Sequence, residues 1–227
     1  MHIGLIGGIG PAATEFYYRG LVEAHKNTDH RMELTIVHAH TDVLIGNMMQ
    51  DNRTAQAEIF LTYLERLRNA GCDAAAITSM AGHFCVDETI AISPLPILNA
   101  LPALKNTLKT KGVRKVGLLG SLGVTKTNLY DSMPDMEFAN IDEHTMEQVH
   151  SAYIEMAGQG FASDAHKDLF FKVGENMHRN MGAEQIILAG TDLFLAFEGA
   201  NPDFPVLDST KVHIEALFQA SVSDINK

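Results

Sequence analysis

Cysteine is scarce: the 227 residues include two, Cys72 and Cys85, and no CxxC pair. That excludes a disulfide framework and a thiolate zinc site. Basic residues are also few, 17 Lys and Arg against 28 Asp and Glu, for a formal net charge of −11. Phosphate contacts need clustered Lys and Arg. The nearest approach, Lys105 to Lys115, is sparse and reads as a solvated helix end and loop, so no nucleic-acid partner is expected. Long apolar runs are missing too; none approaches the ~18 residues of a membrane span. The start, MHIGLIGGIGPAAT, lacks a charged leader segment and breaks early into glycines. Neither a signal peptide nor a membrane partner is expected, and the chain reads as soluble and cytoplasmic. The sequon Asn52-Arg53-Thr54 carries no weight without a secretory signal.

What is present is ample core material, 46% hydrophobic residues, arranged in short runs separated by glycine turns and helical patterns. His2–Gly7, Leu34–His38, Ala74–Thr78, Lys115–Leu119 and Gln185–Ala189 read as buried parallel strands. Ala13–His25 reads as a helix opened by Pro11. Thr54–Ala70 and Phe170–Met181 read as helices stopped by Gly71 and Gly182. Such alternation predicts an α/β fold with doubly wound parallel sheets. The chain also repeats itself loosely: Asn69-Ala70-Gly71-Cys72-Asp73 before one strand parallels Asn180-Met181-Gly182-Ala183-Glu184 before another. His2–Gly8 pairs likewise with Lys115–Gly120. Two similar lobes are therefore expected, 1–102 with 208–227 and 103–207, facing across a cleft. Ligands of such sheets bind beyond the carboxyl ends of the strands.

Several motifs sit at those ends. Gly7-Gly8-Ile9-Gly10-Pro11 is spaced wrongly for GxGxxG. It is either a tight strand-to-helix turn or a site where backbone amides meet a carboxylate. Thr78-Ser79-Met80-Ala81-Gly82-His83 offers two readings: a Ser79–His83 nucleophilic pair, or a helix-capping serine beside a hydrogen-bonded structural histidine. Gly190-Thr191-Asp192 is the matching turn of the second lobe, where Thr191 either donates to a ligand oxygen or caps a helix. Arg53 is a bidentate carboxylate clamp or a solvated surface arginine. His38 and His40 share a strand face, but no further ligands follow at metal spacing, so no metal is expected. The eleven methionines read as core filler.

Taken together the turns resemble the aspartate/glutamate (Asp/Glu/hydantoin) racemase superfamily. Gly7-Gly8-Ile9-Gly10-Pro11-Ala12-Ala13-Thr14 looks like its GGMGPxAT signature, and Asn69 through His83 like its AGAD…CNTAH segment. Gly120-Ser121-Leu122-Gly123 with Thr127-Asn128-Leu129-Tyr130 is similar to GTxGTxxSGLY. Ile187–Leu193 falls on LGCTEL, and Leu207-Asp208-Ser209-Thr210 with His213 on the closing D-S/T-T-x-x-H. The resemblance implies two α/β lobes, a homodimer, and an amino-acid isomerase working without cofactor or metal. In the family one cysteine from each lobe faces the substrate α-carbon, one removing a proton as the other supplies it.

At those two positions this sequence has Ser79 and Gly190, and Met80 and Ala81 replace the polar pair that follows the first cysteine. Cys72 falls on an ordinary alanine position and Cys85 lies about a helical turn beyond the expected site. The resemblance leaves Gly8, Pro11, Thr14, Arg53, Met80, Ala81, Thr127 and Gly190 as candidate contacts to a small carboxylate or amino acid. Ser79, His83, Thr191 and Asp192 are the candidate catalytic groups, with Asp192 standing for the family's glutamate. Three functions follow: an isomerase or decarboxylase using non-cysteine groups, a non-catalytic carboxylate binder, or a hydrolase built on Ser79 and His83.

Overall fold

The computed structural model describes residues 1–126 and 136–223, and they form two units, Met1–Ala100 with the chain from Thr210 on, and Leu101–Ser209. The first begins β1 (His2–Gly7), α1 (Pro11–His25), β2 (Glu33–His38), α2 (Thr41–Met49), α3 (Arg53–Asn69) and β3 (Ala74–Ile77). A 3-10 turn (Ala81–Cys85) leads to α4 (Val86–Ile92). All pairing is parallel, in the order β2-β1-β3, with Ile6 between Val37 and Ile77. A single parallel bridge, Ala75 to Ile97, adds a fourth position beside β3.

The second unit contains α5 (Ala100–Thr110), β4 (Lys115–Leu119), α6 (Leu122–Lys126), β5 (Glu137–Phe138), α7 (Glu143–Gln159), α8 (Asp164–Arg179) and β6 (Gln185–Leu188). A second 3-10 turn (Thr191–Leu193) precedes α9 (Phe194–Phe197) and β7 (Val206–Asp208). Its sheet is parallel in the order β5-β4-β6-β7. Strand for strand this repeats the first unit, with β7 in the place of the Ile97 bridge. The last helix, α10 (Ser209–Ser223), lies almost wholly in the first unit, and α5 almost wholly in the second. These are the two parallel-sheet α/β lobes expected from the alternating pattern.

The helices form where the apolar spacing requires them. In α3, Phe60, Leu64 and Leu67 recur at three- and four-residue steps and are all buried, packing with Ile6, Ile77 and Phe84. Each such side chain contributes roughly 1.5–3 kcal/mol by leaving water. The helix ends where Gly71 turns left-handed (φ 86°), which lets the Cys72 amide reach back to the Leu67 carbonyl at 3.1 Å. In the second unit Phe170, Val173 and Met177 of α8 pack with Leu119, Ile186 and Leu188. That helix starts earlier than its apolar pattern predicts. Ser163 caps it by accepting from the His166 amide (3.2 Å), while the His166 ring accepts from the Ser163 amide (3.3 Å). A histidine in the place of the usual Glu or Gln hides this capping box from a reading by motif.

The returning helix is tied to α1 by two buried histidines. His213 lies against the Tyr17 hydroxyl at 2.8 Å, and His25 against the Ser221 hydroxyl at 2.9 Å.

Candidate functional site

At the carboxyl end of the first sheet, Gly8 follows β1 with φ 84°, and a β-carbon there would sit 2.5 Å from His38 Nδ1 and 2.7 Å from the Ala39 carbonyl. Only glycine fits. Pro11 opens α1 on the surface. The Gly8 amide donates to the Thr14 hydroxyl (2.9 Å), which lies 3.3 Å from both the Gly10 carbonyl and the Thr78 hydroxyl. Thr78 in turn donates to the Ile6 carbonyl at 3.2 Å. Thr14 thus ties the glycine turn to the end of β3. Thr14→Val leaves the Gly8 amide without its acceptor, and urea unfolding is expected to show a loss of about 1 kcal/mol.

Ser79 is buried after β3, and its hydroxyl accepts from the Gly82 amide at 3.4 Å. His83, also buried, does not face that hydroxyl. Its Nδ1 lies 2.7 Å from the Ser79 carbonyl, which fixes the proton there, and its Nε2 accepts from the Ala100 amide at 3.3 Å. Burial lowers its pKa to about 4, against the opposing pull of the Ser79 carbonyl. The imidazole is neutral and both of its nitrogens bond the backbone. Met80 is fully buried and Ala81 packs against the core.

Arg53, the first residue of α3, reaches the same turn by donating from Nη1 to the Phe84 carbonyl at 2.6 Å. Its Nε donates to Asp51 at 2.7 Å. The open depression beside it, about 580 Å³, is lined by Asp51, Glu58 and Glu88 as well as Arg53. Three carboxylates around one guanidinium do not make an anion pocket there.

Neither cysteine offers a thiolate at neutral pH. Burial raises Cys72, at the amino end of β3, and pushes Cys85 up to about 11. Among the described residues no group of His, Cys, Asp and Glu is arranged to hold a metal ion, and no helix is long and apolar enough to cross a membrane.

In the second unit the turns after β4 and β6 touch: a β-carbon on Gly120 would lie 3.3 Å from the Gly190 amide nitrogen. Thr191 and Asp192 are both buried. Gly190 is covered by a residue that no motif flags. A β-carbon there would meet Tyr153 Cε2 at 2.4 Å, Cζ at 2.7 Å and the hydroxyl at 2.9 Å. The Tyr153 hydroxyl donates to Asp192 Oδ2 at 3.1 Å. Burial, and next the Asp192 charge, raise the phenol well above its usual range, so it stays protonated. One turn earlier on α7, His150 Nδ1 accepts from the Leu122 amide at 3.3 Å, beyond the end of β4. Thr127 lies outside the described residues.

The structure therefore gathers Gly8, Thr14, Ser79, His83 and Arg53 around one sheet's carboxyl end, and Gly190, Thr191 and Asp192 around the other's. Sequence reasoning missed Tyr153 and His150. The available signal was the helix itself, with Asp142 accepting from the Thr145 amide at 2.9 Å and left-handed Gly160 (φ 74°) ending it. Spacing of three then puts both residues on one face.

Comparison with known proteins agrees with this architecture. A crystal structure of a putative Asp/Glu racemase from Yersinia pestis superposes with a TM-score of 0.83 at 23% identity, covering 97% of this chain and 99% of that one. An aspartate racemase homologue from Pyrococcus horikoshii OT3 gives 0.80 at 22% identity, over 97% and 98%. Glutamate racemase from Francisella tularensis, solved with D-glutamate, gives 0.67 at 14% identity, over 96% and 80%. At these identities the likeness is one of fold. The model of the Asp/Glu/Hydantoin racemase family matches residues 6–217, and the chain belongs to that family.

Proposed function

We propose that this chain binds a small amino acid or related carboxylate on the racemase scaffold, without cofactor or metal, and does not carry out two-thiol proton exchange. The observation that carries the reading is the Tyr153 ring seated on Gly190, which leaves no room for a side chain at the position where the family has its second cysteine. The first position is Ser79, whose hydroxyl has no base hydrogen-bonded to it among the described residues, because His83 bonds the backbone through both nitrogens. Serine is far too weak an acid to replace a thiolate unaided. The same geometry speaks against the hydrolytic pair, since a nucleophilic serine needs its histidine within hydrogen-bond reach. With both cysteines held as buried thiols, no other residue supplies the missing sulfur chemistry.

The test is proton NMR of L-aspartate, L-glutamate and other α-substituted acids with the protein in D2O. Saturation transfer to some of the acids, with their α-proton signals intact, is the expected result. Loss of an α-proton signal would show carbanion chemistry and overturn the non-catalytic reading in favour of an isomerase using Ser79 or Asp192. Absence of both exchange and saturation transfer would end the carboxylate reading itself.

A further inference from the structure

We infer that the face of α7 bearing His150 and Tyr153 is the ligand-contacting wall at the carboxyl end of the second sheet: His150 donates from Nε2 to a ligand carboxylate oxygen, and Tyr153 limits the size of the ligand's α-substituent. The inference rests on the reading that a small carboxylate binds beyond these strand ends.

Three observations support it. First, the Leu122 amide donates to His150 Nδ1, so the ring proton resides on Nε2. His150 is half-buried, and its Nε2–H has no hydrogen-bond partner among the described residues. Burial lowers its pKa, which keeps the ring a neutral donor near pH 7. Second, the Tyr153 ring is held rather than free. Its hydroxyl is committed to Asp192 and its edge lies on the Gly190 backbone, so the ring is a fixed boundary. Third, the two residues lie one turn apart and reach adjacent strand ends, His150 at the turn after β4 and Tyr153 at the turn after β6. Those turns touch at Gly120 and Gly190, so the donor and the boundary belong to one surface.

The chemical class this surface takes is a compact carboxylate. A neutral imidazole N–H aimed at a carboxylate makes a charge-assisted bond, and the fixed ring disfavours branched or aromatic α-substituents.

The test titrates the intact protein with L-aspartate, L-glutamate and a series of 2-substituted acids of increasing bulk. His150→Phe is expected to weaken binding of the acids bound by the wild type about tenfold or more, and His150→Gln, which keeps an N–H at the same reach, to restore most of it. Tyr153→Ala is expected to shift preference at least about tenfold toward bulkier acids. The nitrogen-15 signal of His150 Nε2 in the wild type is expected to move on ligand addition, a readout independent of whether the variants fold. Unchanged affinity in His150→Phe, an unmoved Nε2 signal in the presence of bound acid, or an unchanged preference in Tyr153→Ala would overturn the proposal while leaving the carboxylate reading intact. Failure of the wild type to bind any of these acids would overturn both.

Discussion

Acidification from pH 7 to pH 5 is expected to cost the fold about 4 kcal/mol through two histidines alone, His83 and His213. Both are fully enclosed, 2% and 0% exposed. Burial lowers His83 to about 4. It lowers His213 to about 3, helped by the neighbouring His83 and opposed by the bond to the Leu98 carbonyl. Their rings meet edge to face with centroids 5.8 Å apart, so a proton on one opposes a proton on the other. Well above pH 6.5 both are neutral whether the chain is folded or not, and their contribution is constant. Below it the unfolded chain takes up protons that the folded chain refuses, so stability falls with pH until the folded-state values are reached. Each histidine adds about 1.4 kcal/mol per pH unit to that slope. Urea unfolding at several pH values measures it, and His213→Gln, which cannot titrate, should remove about half. An unaltered slope in that variant would show that the buried histidines do not govern the acid limb.

The second large effect is expected at Gly190. Its φ of −108° suits any residue, so the penalty for a side chain is steric. A β-carbon 2.4 Å from the Tyr153 ring must expel it, and with it the hydrogen bond to Asp192. Gly190→Cys is therefore expected to cost about 3 kcal/mol, the sum of overpacking and the lost Tyr153–Asp192 hydrogen bond. In a Tyr153→Ala background the same substitution should cost at least about 1 kcal/mol less, since the space has been vacated. A double-mutant cycle by denaturant unfolding gives both numbers. Additive effects would mean that the ring contributes nothing to the penalty.

Much of the fold was legible because its signals are local. β1 and β4 occupy the very residues their apolar runs mark, and Gly71 stops α3 as its position suggests. β5 and β7 escaped because two or three residues carry no periodicity. The strand-end turns were legible from their glycines and hydroxyls, but the choice between a working and a structural His83 was not. That choice depends on the Ala100 amide, 17 residues away, arriving at Nε2. The α7 residues were hidden for the same reason. Tyr153 is an unremarked helical tyrosine until tertiary packing sets it against Gly190, 37 positions later in the chain. Burial and long-range contact decide such roles, and neither has a local signature.

The return of α10 to the first unit has a consequence for biosynthesis. Tyr17 and His213 are separated by 196 positions, as are His25 and Ser221, yet each pair joins α1 to α10. During translation the first sheet, with α1 and α3, emerges early and then waits for the whole second unit before its last helix exists. Until then the surface that α10 covers, including the fully buried Tyr17, stays open to water or to chaperones. Vectorial synthesis therefore cannot finish this molecule lobe by lobe. The second unit, with its sheet contained in one continuous stretch from Leu101 to Ser209, is the part able to mature first, although most of the first unit is made before it.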